Sequence, residues 1–224
     1  MISPSRFYEE SLYPMQDGVM NIIRQCGVRF YLTGGTALSR GYYSHRYSDD
    51  LDFFVNDDDD YAGQVKEVLA RLKDNGFSWD TESDFISSES FTSLKVRWGR
   101  SDAMLKLDFV NDVSAHFGEL SKTSVYYRTD SIRNMLANKL TAIFRFAAKD
   151  VADIREIAMR AEVIWAQAIH DARQKEVGIE LYHVSSILSG MPKSEFDGIH
   201  WVRKPEWADF KADLDRIAFD MLNG

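Results

Sequence analysis

The sequence predicts an α/β (α+β) chain, with a mixed-sheet amino-terminal lobe over residues 1–129 and an all-helical lobe over residues 130–224. Three observations carry this. Leu51, Phe53 and Val55 alternate with Asp50, Asp52 and Phe54, the period-2 pattern of a strand. Phe91 to Trp98 and Ala103 to Val110 are rich in strand formers, and Gly99-Arg100-Ser101-Asp102 between them reads as a hairpin turn. From Ser131 the texture changes to apolar residues three to four apart: Ile132, Leu136, Leu140 and Ile143, then Val151, Ile154 and Ile157.

Taken in order, Pro14 suits the first position of a helix running to Gln25, where its missing N–H costs nothing, and Gly27 stops it. Val28 to Leu32 reads as a strand entering Gly34-Gly35, after which Thr36 is expected to cap a short helix toward Tyr42. Asp60 to Lys73 has Val65, Val68, Leu69 and Leu72 at helical spacing, and Asn75-Gly76 is expected to end it with a left-handed cap. A further strand is expected over Phe77 to Thr81. The first helix of the second lobe is expected to be capped by Asp130 or Ser131.

Composition narrows the function. With 224 residues, 45% of them hydrophobic, the chain can bury one large core or two smaller ones. A net charge of −8 argues against a protein that coats nucleic acid through its overall field, while leaving a local basic patch open. Cys26 is the only cysteine, which excludes an intramolecular disulfide framework and a cysteine zinc site, and a reducing cytoplasm is the expected location. The polar amino terminus and the lack of any apolar run near ~18 residues predict neither secretion nor membrane insertion.

The most informative stretch is Tyr31-Leu32-Thr33-Gly34-Gly35-Thr36-Ala37-Leu38, followed by Arg46-Tyr47-Ser48-Asp49-Asp50-Leu51-Asp52-Phe53-Phe54. A glycine pair between strand and helix lets backbone approach a ligand closely, and N–H groups at a helix start favour phosphate. Asp50 and Asp52 stand about 6.6 to 7 Å apart along one strand face and can lean together onto hard cations. Asp108, in Leu107-Asp108-Phe109, is expected on a strand that could lie beside this one and supplies a third carboxylate. Like charges at ~4 Å in an effective dielectric near 20 repel by about 4 kcal/mol per pair, a cost that a bound cation removes. Magnesium, with two ions possible, is therefore favoured, although Arg46 and Lys106 could neutralise part of the charge without metal. By parity Asp49 faces away from this pair, toward solvent.

These motifs resemble the AbiEii/AbiGii-type nucleotidyltransferase-like toxins of abortive-infection and type IV toxin–antitoxin systems. The glycine pair with Thr36-Ala37-Leu38, then Arg46, Ser48 and Asp50-Leu51-Asp52-Phe53, is similar to that family's first motif, and Lys106-Leu107-Asp108-Phe109 to its second. Asn138-Lys139-Leu140-Thr141-Ala142-Ile143, with Arg145 and Lys149-Asp150-Val151-Ala152-Asp153-Ile154, is similar to its helical third and fourth motifs. The resemblance implies a nucleotidyltransferase-like first lobe, binding of a nucleoside triphosphate, and transfer to an RNA, such as a tRNA, or to a protein acceptor. A cognate antitoxin is the implied partner. It further implies Asp50 and Asp52 on metal, Gly34, Gly35 and Ser48 on the phosphates with Thr36 and Arg46 beside them, Lys139 on the triphosphate, and Asp150 as a base or orienting group.

Other features receive plainer readings. Lys139 falls on the polar side of its helix, and an unbroken helix at about 100° per residue would align Asp150 and Asp153 with it as a stripe, either functional or a surface ladder. Asp57 to Asp60 lack the spacing of a calcium loop and read as a solvated helix start. The histidines show no HExxH or clustered spacing, and Trp165, Trp201 and Trp207 are expected in cores. Besides an active nucleotidyltransferase, a catalytically silent nucleotide-binding or interaction module of the same fold, and an enzyme with a small-molecule acceptor, remain open.

Overall fold

The computed structural model describes residues 3–99 and 103–223. The expected turn at Gly99-Arg100-Ser101-Asp102 therefore lies, beyond Gly99, outside the described residues. The chain divides into two compact units. The first takes residues up to Tyr42, Tyr47–Ser114 and Leu120–Asp130, and the second takes Tyr43–Arg46, Ala115–Glu119 and the chain from Ser131.

The first unit begins with α1 (Pro4–Phe7), a π-helical turn (Tyr8–Leu12) and α2 (Tyr13–Cys26), one continuous helical run in which Pro14 sits at the start of α2. Gly27, at φ +69°, ends it in the left-handed region that glycine enters without strain. Then come β1 (Tyr31–Thr33), α3 (Gly34–Thr36) continued as a π-helix (Ala37–Tyr43), β2 (Asp50–Asn56) and α4 (Tyr61–Asp74). The strands β3 (Phe77–Ser78), β4 (Phe85–Ser87), β5 (Phe91–Trp98) and β6 (Leu105–Asp112) complete it.

Among the described residues the strands form one sheet in the order β1-β2-β6-β5-β3, with β4 also on β5. The β2–β6 pair is parallel and the others antiparallel. Leu51, Phe53 and Val55 of β2 and Leu105, Leu107 and Phe109 of β6 are buried. Phe53 stacks on Phe109 with centroids 5.7 Å apart, and Phe30 packs on Phe109 at 5.1 Å. This apolar layer leaves the alternate residues of both strands on the opposite face, which holds the acidic groups.

Several expected elements shift, each for a visible reason. The strand expected at Val28 to Leu32 starts only at Tyr31, because the Arg29 N–H donates to the Gln64 side chain rather than to a strand. The strand expected to reach Thr81 stops at Ser78, where Asp80 accepts the Glu82 and Ser83 N–H groups and turns the chain. Thr36 does not cap a helix: it lies inside the helical run, and its hydroxyl donates to the Asp50 carbonyl at 2.5 Å.

The second unit contains α5 (Ile132–Ala142), a 3₁₀ turn (Ile143–Arg145), α6 (Ala148–Arg160), α7 (Trp165–Lys175), α8 (Leu181–Ser189), α9 (Lys193–Asp197) and α10 (Trp207–Asn223). Ser131 caps α5 by accepting the Asn134 N–H at 3.0 Å. The helix does not run unbroken to Asp153, since Phe146 at φ +57° turns the chain between α5 and α6. Leu136, Leu140, Ile154, Ile157, Leu188, Phe210 and Leu214 form the core. Trp165 is buried, while Trp201 and Trp207 pack on Phe196 at 5.3 and 5.1 Å.

Candidate active site

The acidic face is built by register. Asp50 and Asp52 alternate with buried Leu51 and Phe53 on β2, and the parallel pairing sets Asp50 beside Lys106 and Asp52 beside Asp108. On the other side of β6, Ser93 of β5 stands opposite Asp108 and donates to its Oδ1 at 2.6 Å. Lys106 donates to Oδ2 of the same carboxylate at 2.5 Å. Burial alone would lower the Lys106 pKa, but the hydrogen bond and charge of Asp108, then the charges of Asp50 and Asp52, raise it above the ordinary lysine value. Asp49 is exposed, as its parity requires, and accepts the Tyr8 hydroxyl at 2.5 Å.

The glycine turn abuts this face. Thr33 pairs with Asp52 in the β1–β2 register, and its hydroxyl donates to the buried carboxylate of Asp130 at 2.6 Å. Gly34 follows at φ +68°, and a Cβ placed there would lie 2.8 Å from Cγ of Asp52. The turn thus needs glycine for its conformation and for the close approach of Asp52. Gly34→Ala is expected to lower the melting temperature by more than Gly27→Ala. Both carry the ~1–2 kcal/mol left-handed cost, roughly 2–8 °C in a chain of this size, whereas Gly27 has open space around its Cβ position. Equal shifts in thermal melts of the two variants would show that Asp52 does not press on Gly34. Gly35, Thr36 and Ser48 are all buried in the same unit.

A second polar cluster lies in the helical unit, and it corrects the expected exposure of Lys139. That lysine is only 6% exposed and bridges Asp150 at 2.7 Å and Asp153 at 2.6 Å. Both aspartates are fully buried. Arg46 is buried as well, with Nε and Nη2 each 2.7 Å from Asp153, while Arg145 grips Asp150 at 2.6 and 2.9 Å. His45 Nε2 adds a 2.8 Å contact to Asp153. Burial opposes ionisation of Asp153, yet the charges of Arg46 and Lys139 outweigh it and hold the carboxyl well below its ordinary range. Asp150 is lowered the same way, burial being overcome by Lys139 and Arg145. Lys139 is raised, because Asp153 and Asp150 outweigh burial and the repulsion from Arg46. The alignment with Asp150 and Asp153 is real, but it arises across the α5–α6 turn and not along one helix.

The oxygen donors of the acidic face suit a hard divalent cation such as magnesium, and the sheet brings them to one face beside the turn. Among the described residues no three or more His, Cys, Asp or Glu side chains gather closely enough to hold an ion, and Lys106 stands on Asp108 within this face. Ser93 and Asp130 are contributors that sequence reasoning missed or read only as a cap, since their positions follow from strand register and a long-range hydrogen bond. No described helix is long and apolar enough to cross a membrane.

The family match makes this chain a nucleotidyltransferase, and its mixed sheet carries alternating aspartates beside a glycine turn. Residues 23–220 match the family model of the nucleotidyl transferase AbiEii toxin, type IV toxin–antitoxin system, and the chain belongs to that family. A nucleotidyltransferase toxin from Mycobacterium tuberculosis H37Rv, MenT4, aligns with TM-score 0.65 and 18% identity, covering 99% of this chain and 86% of its own. A structure described as a putative nucleotidyltransferase from H. pylori aligns with TM-score 0.64 and 20% identity, covering 96% of each chain. JHP933 from Helicobacter pylori aligns with TM-score 0.58 and 17% identity, covering 100% of this chain and 94% of its own. These likenesses bear on the fold. No match is found among curated proteins.

Proposed function

We propose that this nucleotidyltransferase is a magnesium-dependent toxin of the cytoplasm, transferring a nucleotidyl group from a nucleoside triphosphate to an RNA, tRNA among the candidates, or to a protein, and restrained by a cognate antitoxin. The observation that carries this reading is the register that sets Asp50, Asp52 and Asp108 on one face beside the Gly34 turn. Magnesium, when bound, would be held by Asp50 and Asp52, with Asp108 a further candidate ligand, and would orient the triphosphate and offset charge on the leaving pyrophosphate. The chain's own part is positional. Gly34 and Gly35 let backbone N–H groups approach the phosphates, Ser48 lies two residues before Asp50, and Thr36 ties the turn to the Asp50 carbonyl. Lys139, Arg46 and Asp150 are read as a charged frame of the helical unit, with Asp150 orienting Lys139 and Arg145 rather than accepting a proton.

Isothermal calorimetry on the whole chain tests the reading. A nucleoside triphosphate with magnesium should bind at or below millimolar concentration, and labelled nucleotide should then pass to total RNA or protein. Binding without transfer to any acceptor would favour the silent module. No binding by folded protein would sink the nucleotide reading itself.

A further inference from the structure

We propose that Lys106 is a built-in cation of the acidic face, and that Asp108, pinned by it, is not a metal ligand, so that the chain takes one divalent ion on Asp50 and Asp52 rather than two. The inference rests on the reading of that face as the magnesium site and specifies its occupancy.

Three observations support it. The β2–β6 register alternates sign on one face, with Lys106 beside Asp50 and Asp108 beside Asp52. Both carboxylate oxygens of Asp108 already have donors, Ser93 at 2.6 Å on Oδ1 and Lys106 at 2.5 Å on Oδ2. A carboxylate held from both oxygens has less lone-pair capacity for an ion, and an ammonium at one of them repels a second cation. Finally, although three aspartates share the face, no three ligating side chains among the described residues converge. The ammonium seated on Asp108 supplies locally positive charge that a metal would otherwise bring to that carboxylate. Three carboxylates and one ammonium leave the charge that a single divalent ion neutralises.

Asp108 is therefore a positioning residue in this scheme. It fixes Lys106 next to Asp50 and Asp52, and Ser93 fixes Asp108. The strand register sets the arrangement, since Lys106 and Asp108 are two apart on β6 and Ser93 faces Asp108 across the antiparallel pair.

The experiment counts manganese bound to the whole chain by electron paramagnetic resonance, without nucleotide. It uses the parent, Asp52→Asn, Asp108→Asn and Lys106→Met, each verified as folded by circular dichroism. The expected result is one ion on the parent. Asp52→Asn should weaken its affinity by roughly a hundredfold or more, and Asp108→Asn by less than about tenfold. Lys106→Met should gain a second ion or bind the first at least about tenfold more tightly. Two ions on the parent, or an Asp108→Asn loss equal to that of Asp52→Asn, would overturn the inference while leaving the magnesium reading intact. Should Lys106→Met not fold, the comparison of Asp108→Asn with Asp52→Asn decides the matter alone. Manganese bound by none of the proteins would overturn both the inference and the magnesium reading.

Discussion

Asp52→Asn is expected to reduce nucleotide transfer by at least ~10³-fold while the chain stays folded and melts no lower than the parent. Asp52 lies at the centre of the acidic face: two residues after Asp50 on the same side of β2, opposite Asp108 on β6 and against Gly34 of the turn. Cation stabilisation of developing charge is worth several kcal/mol, and each 1.36 kcal/mol is tenfold in rate, which sets the size of the loss. Stability should move the other way. Neighbouring carboxylates repel in the metal-free chain, Lys106 offsets only part of that repulsion, and asparagine fills the same volume without charge. Asp50→Ala should behave alike in direction. Transfer of label from a radiolabelled triphosphate to total RNA or protein measures the first quantity and thermal melting the second. If activity and melting temperature fall together, Asp52 is a structural group and the face is not a cation site.

The sequence shows most clearly those features that depend on local alternation. The period-2 run from Asp50 to Val55 places both aspartates on one face, and the structure has them there, with Leu51, Phe53 and Val55 buried. The helix stops at Gly27 and Gly76 are equally legible, since each needs positive φ, at +69° and +82°. Features set by distant partners are not legible. The strand Phe85–Ser87 is an exposed edge in a stretch rich in serine and acidic residues, so it has no buried side to give a rhythm. The π-helical Tyr8–Leu12 and Ala37–Tyr43 differ from α-helix in hydrogen bonding, which apolar spacing does not encode. Lys139 is the sharpest case. Its helical position reads as polar and therefore as solvent-facing, yet the chain reverses at Phe146, without glycine or proline to announce it, and lays α6 carboxylates over the ammonium. His45 and Arg46 join the same cluster from the far side of the sequence, a contact that no local pattern carries.

That buried cluster gives the largest expected effect on stability. Asp153→Ala is expected to destabilise the helical unit by about 3–5 kcal/mol, because it leaves Arg46 and Lys139 buried with their shared carboxylate gone. In a chain of this length that corresponds to a fall of roughly 6–20 °C in melting temperature. A surface ladder, by contrast, would cost under ~1 kcal/mol per pair. The cluster also sets the pH response. Asp153 and Asp150 have pKa values depressed on folding, so their contribution is present above the unfolded carboxylate value of about 3.9 and is lost as pH falls through the lower folded values. Lys139 is raised, so its contribution is present below the unfolded lysine value of about 10.4 and is lost as pH rises through the higher folded value. Melting followed by circular dichroism should therefore hold level between these limits for the parent, and Asp153→Asn should flatten the acid limb below about pH 4 because its side chain no longer titrates. An Asp153→Ala protein that melts within a degree or two of the parent would mean that water reaches Arg46 and Lys139 in solution and that the cluster is not closed.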